Sequence, residues 1–272
     1  MFFVLNKQKI IAYGVSVFTV IFLFCVASGM NGNNETMETS ANTGKLLPIY
    51  NVKTEENKVA LTMNCAWNAD DIDSILKTLE DNNVKITFFM VGEWIEKFPE
   101  AVKKINEEGH EIASHSDTHP HVNKLSYEEN INQIEKSNEK IEKITGKRTQ
   151  IYRPPYGEYN DTVIKAVQDK NYYAIQWNLD TLDYTGLTGT EMWNRLKDKI
   201  KAGDIILTHN GTKHIADSLD MLIKNIKIQG KEEVEIAEKR IKREENSKMK
   251  TYEILILYII FLINSISIIE QI

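Results

Sequence analysis

A chain of 272 residues, 42% of them hydrophobic and 26% charged, has the composition of a globular protein and is long enough to bury a substantial core. Its 33 basic against 39 acidic residues leave a net charge of -6, which removes the positive field that a nucleic-acid partner requires. Cys25 and Cys65 are its two cysteines. Because Cys25 falls inside an apolar N-terminal run, the region beyond that run has no second cysteine for an internal disulfide.

Residues 1–30 read as a signal anchor or a signal peptide. Lys7 and Lys9 precede an almost unbroken apolar stretch over residues 10–27, and no basic residue follows until Lys45, so the charge bias places the remainder outside the cytoplasm. Ala27, Ser28 and Gly29 offer small residues for cleavage, so the segment is either a retained membrane anchor or a removed leader. Cys25 reads as a membrane-facing thiol. Residues 31–57 open with Asn, Thr, Ser and Gly and read as a flexible linker.

From Lys58 strand and helix signals alternate. A short apolar strand is expected at 59–63, and the apolar spacing of Ile72, Ile75, Leu76 and Leu79 predicts a helix over 70–82. Strands at 86–91 and 111–114 flank a helix over 93–108. Ser126 to Glu129 has the form of a capping box opening a long polar helix that closes at Gly146. Strands at 150–152, 172–177 and 205–208 then alternate with helices at 160–169, 188–200 and 215–226. Such alternation implies a parallel sheet with right-handed crossovers, either a barrel or an open doubly wound sheet. No glycine-rich phosphate loop follows the first strand, which argues against a nucleotide-binding version.

Residues 231–250 interleave acids and bases and read as a solvated helix or mobile tail. The apolar stretch at 254–269, about sixteen residues long, falls short of the roughly 20 that a membrane helix needs. The domain is accordingly bounded at 58–236, with 237–272 as a charged, then apolar tail.

Polar residues collect after the predicted strands, where parallel α/β folds build their sites. Asn64 and Cys65 follow the first strand, His115 and His119 the third, and Arg153 to Gly157 the fourth. Asp180 to Tyr184 follow the fifth, and His209 ends the sixth. Two histidines four apart read either as half of a metal site or as an ordinary polar loop after a strand, and the other residues at the strand ends favour the first.

This ordered set resembles the polysaccharide deacetylase family, the carbohydrate esterases with a NodB homology domain. The likeness covers Lys58 to about Ile226. His115-Ser116-Asp117-Thr118-His119 matches the His-Ser/Thr-x-x-His motif, and Arg153 to Tyr156 matches Arg-x-Pro-Tyr. Asp180 to Tyr184 matches Asp-x-x-Asp-Trp with Tyr for Trp, and Leu207 to His209 matches Leu-x-His.

The resemblance implies a distorted (β/α) barrel that removes N-acetyl groups from a cell-wall glycan, peptidoglycan or chitin-like, with a divalent metal. His115 and His119 would bind the metal, His209 would be the general acid, and Asp180 would hold its imidazole. Arg153 would pair with the catalytic carboxylate. Tyr156, with Pro155 and Leu207, would serve substrate and oxyanion.

The first motif departs from the pattern. The family reads Thr-Phe-Asp-Asp-Gly where this chain has Thr62-Met63-Asn64-Cys65-Ala66, so both carboxylates are absent. The altered motif resembles that of a deacetylase-like branch in spore-forming bacteria. An amide accepts no proton at neutral pH, so Asn64 is not competent as a base. Cys65, as a thiolate, is the candidate third ligand, and zinc the expected metal. Two readings follow: a metal-dependent N-deacetylase, and a catalytically inactive glycan-binding module. Neither calls for a protein partner.

Overall fold

The computed structural model describes residues 46–54 and 56–236. The expected anchor or leader, most of the linker and the tail beyond 236 lie outside the described residues. Among those described, no helix is long and apolar enough to cross a membrane.

β1 (Lys58–Cys65) is the centre of the sheet and is buried along almost its whole length. It is flanked by β2 (Thr87–Met90) and β7 (Ile205–His209), both parallel to it. Beyond β2 follow β3 (Glu111–Ser114), β4 (Ile151–Tyr152) and β5 (Tyr173–Ala174); beyond β7 lies β6 (Leu179–Asp180). The order β5-β4-β3-β2-β1-β7-β6 advances steadily in one direction and then turns back at β7, giving a curled parallel sheet with all strand C-termini at one rim. The expected barrel is thus a half-barrel: β5 and β6 are its edges.

The helices cover the outer face. α1 (Ile72–Asp81) packs its stripe of Ile72, Ile75, Leu76 and Leu79 into the main apolar cluster against Val59, Leu61 and Met63 of β1. Each such side chain contributes about 1.5–3 kcal/mol when fully buried. α4 (Tyr127–Thr145) starts on the Ser126/Glu129 capping box, both hydrogen bonds of which form, and ends at Gly146 with φ 72°. α5 (Asp161–Asp169), α6 (Gly189–Leu196) and α7 (Ile215–Ile228) follow the predicted spacing.

Four expectations need correction. The single helix over 93–108 is two, α2 (Gly92–Lys97) and α3 (Pro99–Glu107). Pro99 has no N–H to continue the ladder, and its ring forces a break at Phe98. β6 was not anticipated, since two residues carry no period. Glu232–Val234 is not solvated tail but β8, parallel to Lys58–Ala60 of β1. Residues 49–52, assigned to the linker, bridge instead to Ile175 and Asp204, with Ile49 N–H donating to Ala174 O at 2.8 Å and Val52 N–H to Gly203 O at 2.9 Å. They bring backbone to the end of edge strand β5 and to the start of β7, satisfying groups that the strand ladder leaves unpaired.

Candidate active site

The rim gathers most of the predicted residues. In the β1–β7 ladder Asn64 stands directly opposite His209. Ser114 stands opposite Tyr152, so the next residues, His115 and Arg153, are neighbours. Arg153 N–H donates to Ser114 O, and His115 Nδ1–H donates to Arg153 O at 2.7 Å. That bond leaves the lone pair of His115 on Nε2. The rings of His115 and His119 lie 4.9 Å apart. Burial pushes both imidazole pKa values down, furthest for His115.

Arg153 is fully buried, and among the described residues no ion pair reaches it. Its guanidinium donates to Asn64 Oδ1 at 2.9 Å and Gln176 O at 3.2 Å, its Nε has no partner, and the Phe89 ring lies 3.8 Å from its central carbon. Burial lowers its pKa, yet an arginine remains cationic in a protein. A cation without a direct ion pair therefore sits in the interior, facing an amide where the expected carboxylate would stand, with Asp180 as the favourable charge acting on it from farther off.

The structure reassigns the partner of His209. Asp183, not Asp180, holds the ring: His209 Nδ1–H donates to Asp183 Oδ1 at 2.9 Å, and His209 N–H to Asp183 Oδ2 at 2.6 Å. Asp183 is fully buried in the turn after β6. Asp180 is spent locally, accepting from Leu182 N–H at 2.8 Å and lying 3.4 Å from Tyr184 Oη. Both carboxylates belong to one sequence motif, and only the turn, with Leu182 at φ 55°, decides which one reaches the imidazole.

Cys65 is the second correction. Side chains alternate along a strand, and Thr62 and Asn64 take the inner face while Val59, Leu61, Met63 and Cys65 lie in the outer apolar cluster. The thiol is buried there and its pKa is pushed up by burial, the reverse of what a thiolate ligand requires. It does not join His115 and His119. Among the described residues no three His, Cys, Asp or Glu side chains are grouped so as to hold a metal ion. Open zinc sites use three protein ligands, so the donors present do not fit the metal that the resemblance implies.

Of the remaining candidates, Tyr156 has φ 57° and exposes its ring, which lies 4.5 Å from His119 and stacks on His121 at 4.4 Å. Pro155 is buried in the same turn. Leu207 is buried beneath, on the same face as His209 two residues before it, and its carbonyl accepts from Thr181 Oγ1. Ser116, His119, Tyr156 and Leu182 all have positive φ without being glycine, so backbone strain is concentrated at this rim.

Several supporting residues were not foreseen. Gln133 of α4 accepts from Asp117 N–H and Thr118 N–H, and Lys140 pairs with Asp117, so one helix clamps the histidine loop. Their polar spacing along α4 looks like an ordinary solvated face. Trp67, also unforeseen, and the motif residue Tyr184 flank His209 with ring centroids at 5.4 and 5.2 Å.

A family model for polysaccharide deacetylases matches residues 51–175. The solved structure of the Bc1960 peptidoglycan N-acetylglucosamine deacetylase is 34% identical with a TM-score of 0.66, over 69% of this chain and 89% of that one. The chain belongs to the polysaccharide deacetylase family. Another structural neighbour in the family is wild-type BA3943, described as a CE4 family pseudoenzyme from Bacillus anthracis: TM-score 0.68, 33% identity, over 71% of this chain and 68% of that one. Among curated members, the peptidoglycan-N-acetylglucosamine deacetylase of Bacillus cereus is 36% identical over 177 residues, and YlxY of Bacillus subtilis, an uncharacterized protein, 34% over 183. The matches cover 64% and 67% of this chain, and the chain spans 64% and 57% of those two proteins' length.

Proposed function

We propose that this protein is a catalytically silent member of the family that binds acetylated cell-wall glycan outside the cytoplasm. The observation that carries the reading is Asn64: its amide occupies the place of the general base, bonded to Arg153 and facing His209. With no carboxylate there and Cys65 turned into the core, the rim keeps the shape of a hydrolase and, among the described residues, lacks both the motif's carboxylate base and a third metal ligand. Support comes from the B. anthracis neighbour, itself described as a pseudoenzyme, and from a mutant of it described as having restored enzymatic activity. Peptidoglycan is the favoured glycan because the B. cereus relative is named for deacetylating it. Export, by a retained anchor or a cleaved leader, rests on Lys7 and Lys9 ahead of the apolar run.

The test is acetate release from N-acetylglucosamine oligomers and peptidoglycan by the full chain with added zinc or cobalt, alongside co-sedimentation with peptidoglycan. We expect sedimentation without acetate. Release by the parent that is lost in His209→Ala overturns the reading.

The retained His115 and His119 favour a second reading, a metal-dependent N-deacetylase. An Nδ1–H donated to a carbonyl, as in His115, is how metal-bound histidines are commonly oriented. One equivalent of zinc in the purified chain, lost in His115→Ala, selects this reading; a content below a tenth of an equivalent selects the first.

A further inference from the structure

Five large hydrophobic side chains are exposed among the described residues, and three of them, Trp67, Tyr156 and Tyr184, make ring contacts with His209 or His119. Exposed aromatic surface is costly, and its concentration at one polar rim marks a binding surface. Tyr156 and Tyr184 fall within the motifs already discussed. Trp67 does not: it follows the altered first motif, on the loop that links β1 to α1.

That loop is pinned to the end of β7. Asn68 O accepts from Trp94 Nε1–H at 2.9 Å and from Asn210 Nδ2 at 2.5 Å. Asp71 accepts from Gly211 N–H at 2.6 Å and Asn210 Nδ2 at 3.1 Å. Gly211 has φ 72°, and a Cβ there would approach Asn68 Oδ1 to 2.9 Å, so the junction requires a glycine. The indole, half exposed, is thus presented by a loop whose backbone is fixed by two neighbouring elements. A platform held in place before binding loses little entropy when a ligand settles on it.

We propose that Trp67 is a sugar-stacking residue that takes the C–H face of an N-acetylhexosamine ring and holds it beside His209. The assignment rests on the glycan-binding reading above. A pyranose suits the surroundings: one face of the ring presents C–H groups to the electron-rich indole, while its hydroxyl and amide groups reach the polar floor of Asn64 and His209. A purely apolar ligand would leave that floor unpaired.

The experiment titrates the full chain with the N-acetylglucosamine tetramer by calorimetry for the parent, Trp67→Ala and Trp67→Phe. Oxidation of Trp67 by N-bromosuccinimide is followed in parallel by peptide mass, with and without the tetramer. We expect Trp67→Ala to weaken binding at least tenfold, Trp67→Phe to keep it within about threefold, and the tetramer to slow oxidation of Trp67. Unchanged melting of Trp67→Ala separates lost contact from lost fold. A parent that binds while Trp67→Ala binds equally well overturns the assignment and leaves the glycan-binding reading standing. A parent that binds neither tetramer nor peptidoglycan overturns that reading and the assignment together.

Discussion

Asn64 accepts from Arg153 through Oδ1 at 2.9 Å, and this turns its Nδ2 toward His209 Nε2, 3.4 Å away. The buried guanidinium only donates, so it decides which end of the amide meets the imidazole. His209 donates through Nδ1 to Asp183, and its Nε2 therefore faces an N–H donor. In this arrangement Nε2 carries no proton to give to a leaving amine. Nitrogen-15 NMR of the parent is expected to show the Nδ1–H tautomer of His209; an Nε2–H tautomer refutes the orientation.

Asn64→Asp supplies Arg153 with the carboxylate it lacks. Breaking a buried ion pair costs about 3–5 kcal/mol, so completing one beside a buried cation that has no direct ion pair is expected to stabilise by about 1–3 kcal/mol. The melting temperature then rises by roughly 2–4 °C per kcal/mol. Arg153 would hold the new carboxyl below its unfolded value, so the gain is present above the ordinary carboxylate range and is lost as pH falls through the folded pKa. Calorimetric melting at pH 7 and pH 4 checks both parts. A lower melting temperature at pH 7 shows that Arg153 is already compensated.

Asp183→Ala removes the acceptor of His209 Nδ1–H, His209 N–H and Tyr184 N–H together. Leaving buried donors unpaired costs about 1–3 kcal/mol each at most, so a loss of roughly 2–4 kcal/mol is expected in urea unfolding. Asp180→Ala, which removes contacts within one turn and a more distant charge that favours Arg153, is expected to cost less than Asp183→Ala. Equal losses would return Asp180 to the role of holding His209.

Cys65 is expected to resist alkylation in the folded chain, as peptide mass mapping after iodoacetamide would show, since burial in the apolar cluster holds it as a neutral thiol. Cys65→Ala should leave zinc content unchanged and cost about 1–2 kcal/mol of core packing. Zinc lost with the thiol would place Cys65 at the rim after all.

Two buried groups act on stability with opposite sign over overlapping pH ranges. His110 has its pKa pushed down to about 4 from 6.5, mainly by burial, and the unfolded chain therefore binds more protons below pH 6.5. Its contribution is intact above 6.5 and falls as pH drops from 6.5 toward 4, on the order of 3 kcal/mol in all. Glu233 of β8 has its pKa raised from 4.5 to about 7, mainly by burial. Its contribution is intact below 4.5 and is lost as pH rises through 7. Because the two windows overlap and the slopes oppose, urea unfolding from about pH 4 to 8 should show stability falling with pH more steeply than in the parent in His110→Gln and rising more steeply in Glu233→Gln. Slopes unaltered by either variant would assign the pH dependence to other groups.

The sequence alone was enough for the alternating α/β order, the family, and most of the residues that meet at the rim. Strand ends in a parallel sheet share one edge, so chemistry spread from Asn64 to His209 along the chain converges without any knowledge of coordinates. The helix stripe of α1 and the caps of α4 were equally legible, because 3.6-residue spacing and a Ser126/Glu129 pair act locally. Two-residue strands such as β5 and β6 carry too little period to be delimited, so β5 is shorter than the expected 172–177 and β6 was not expected at all. The break at Phe98 was visible in Pro99 and was overridden by the apolar spacing around it.

Which side chain faces which was decided only by the tertiary structure. A shift of one residue along β1 moves a side chain from the inner face to the outer, and this separates Asn64, at the site, from Cys65, in the core. A turn of three residues separates Asp180 from Asp183, and backbone dihedrals choose the one that reaches His209. Spacing in a sequence names the candidates. Strand alternation and turn geometry, which depend on packing across the whole sheet, select among them.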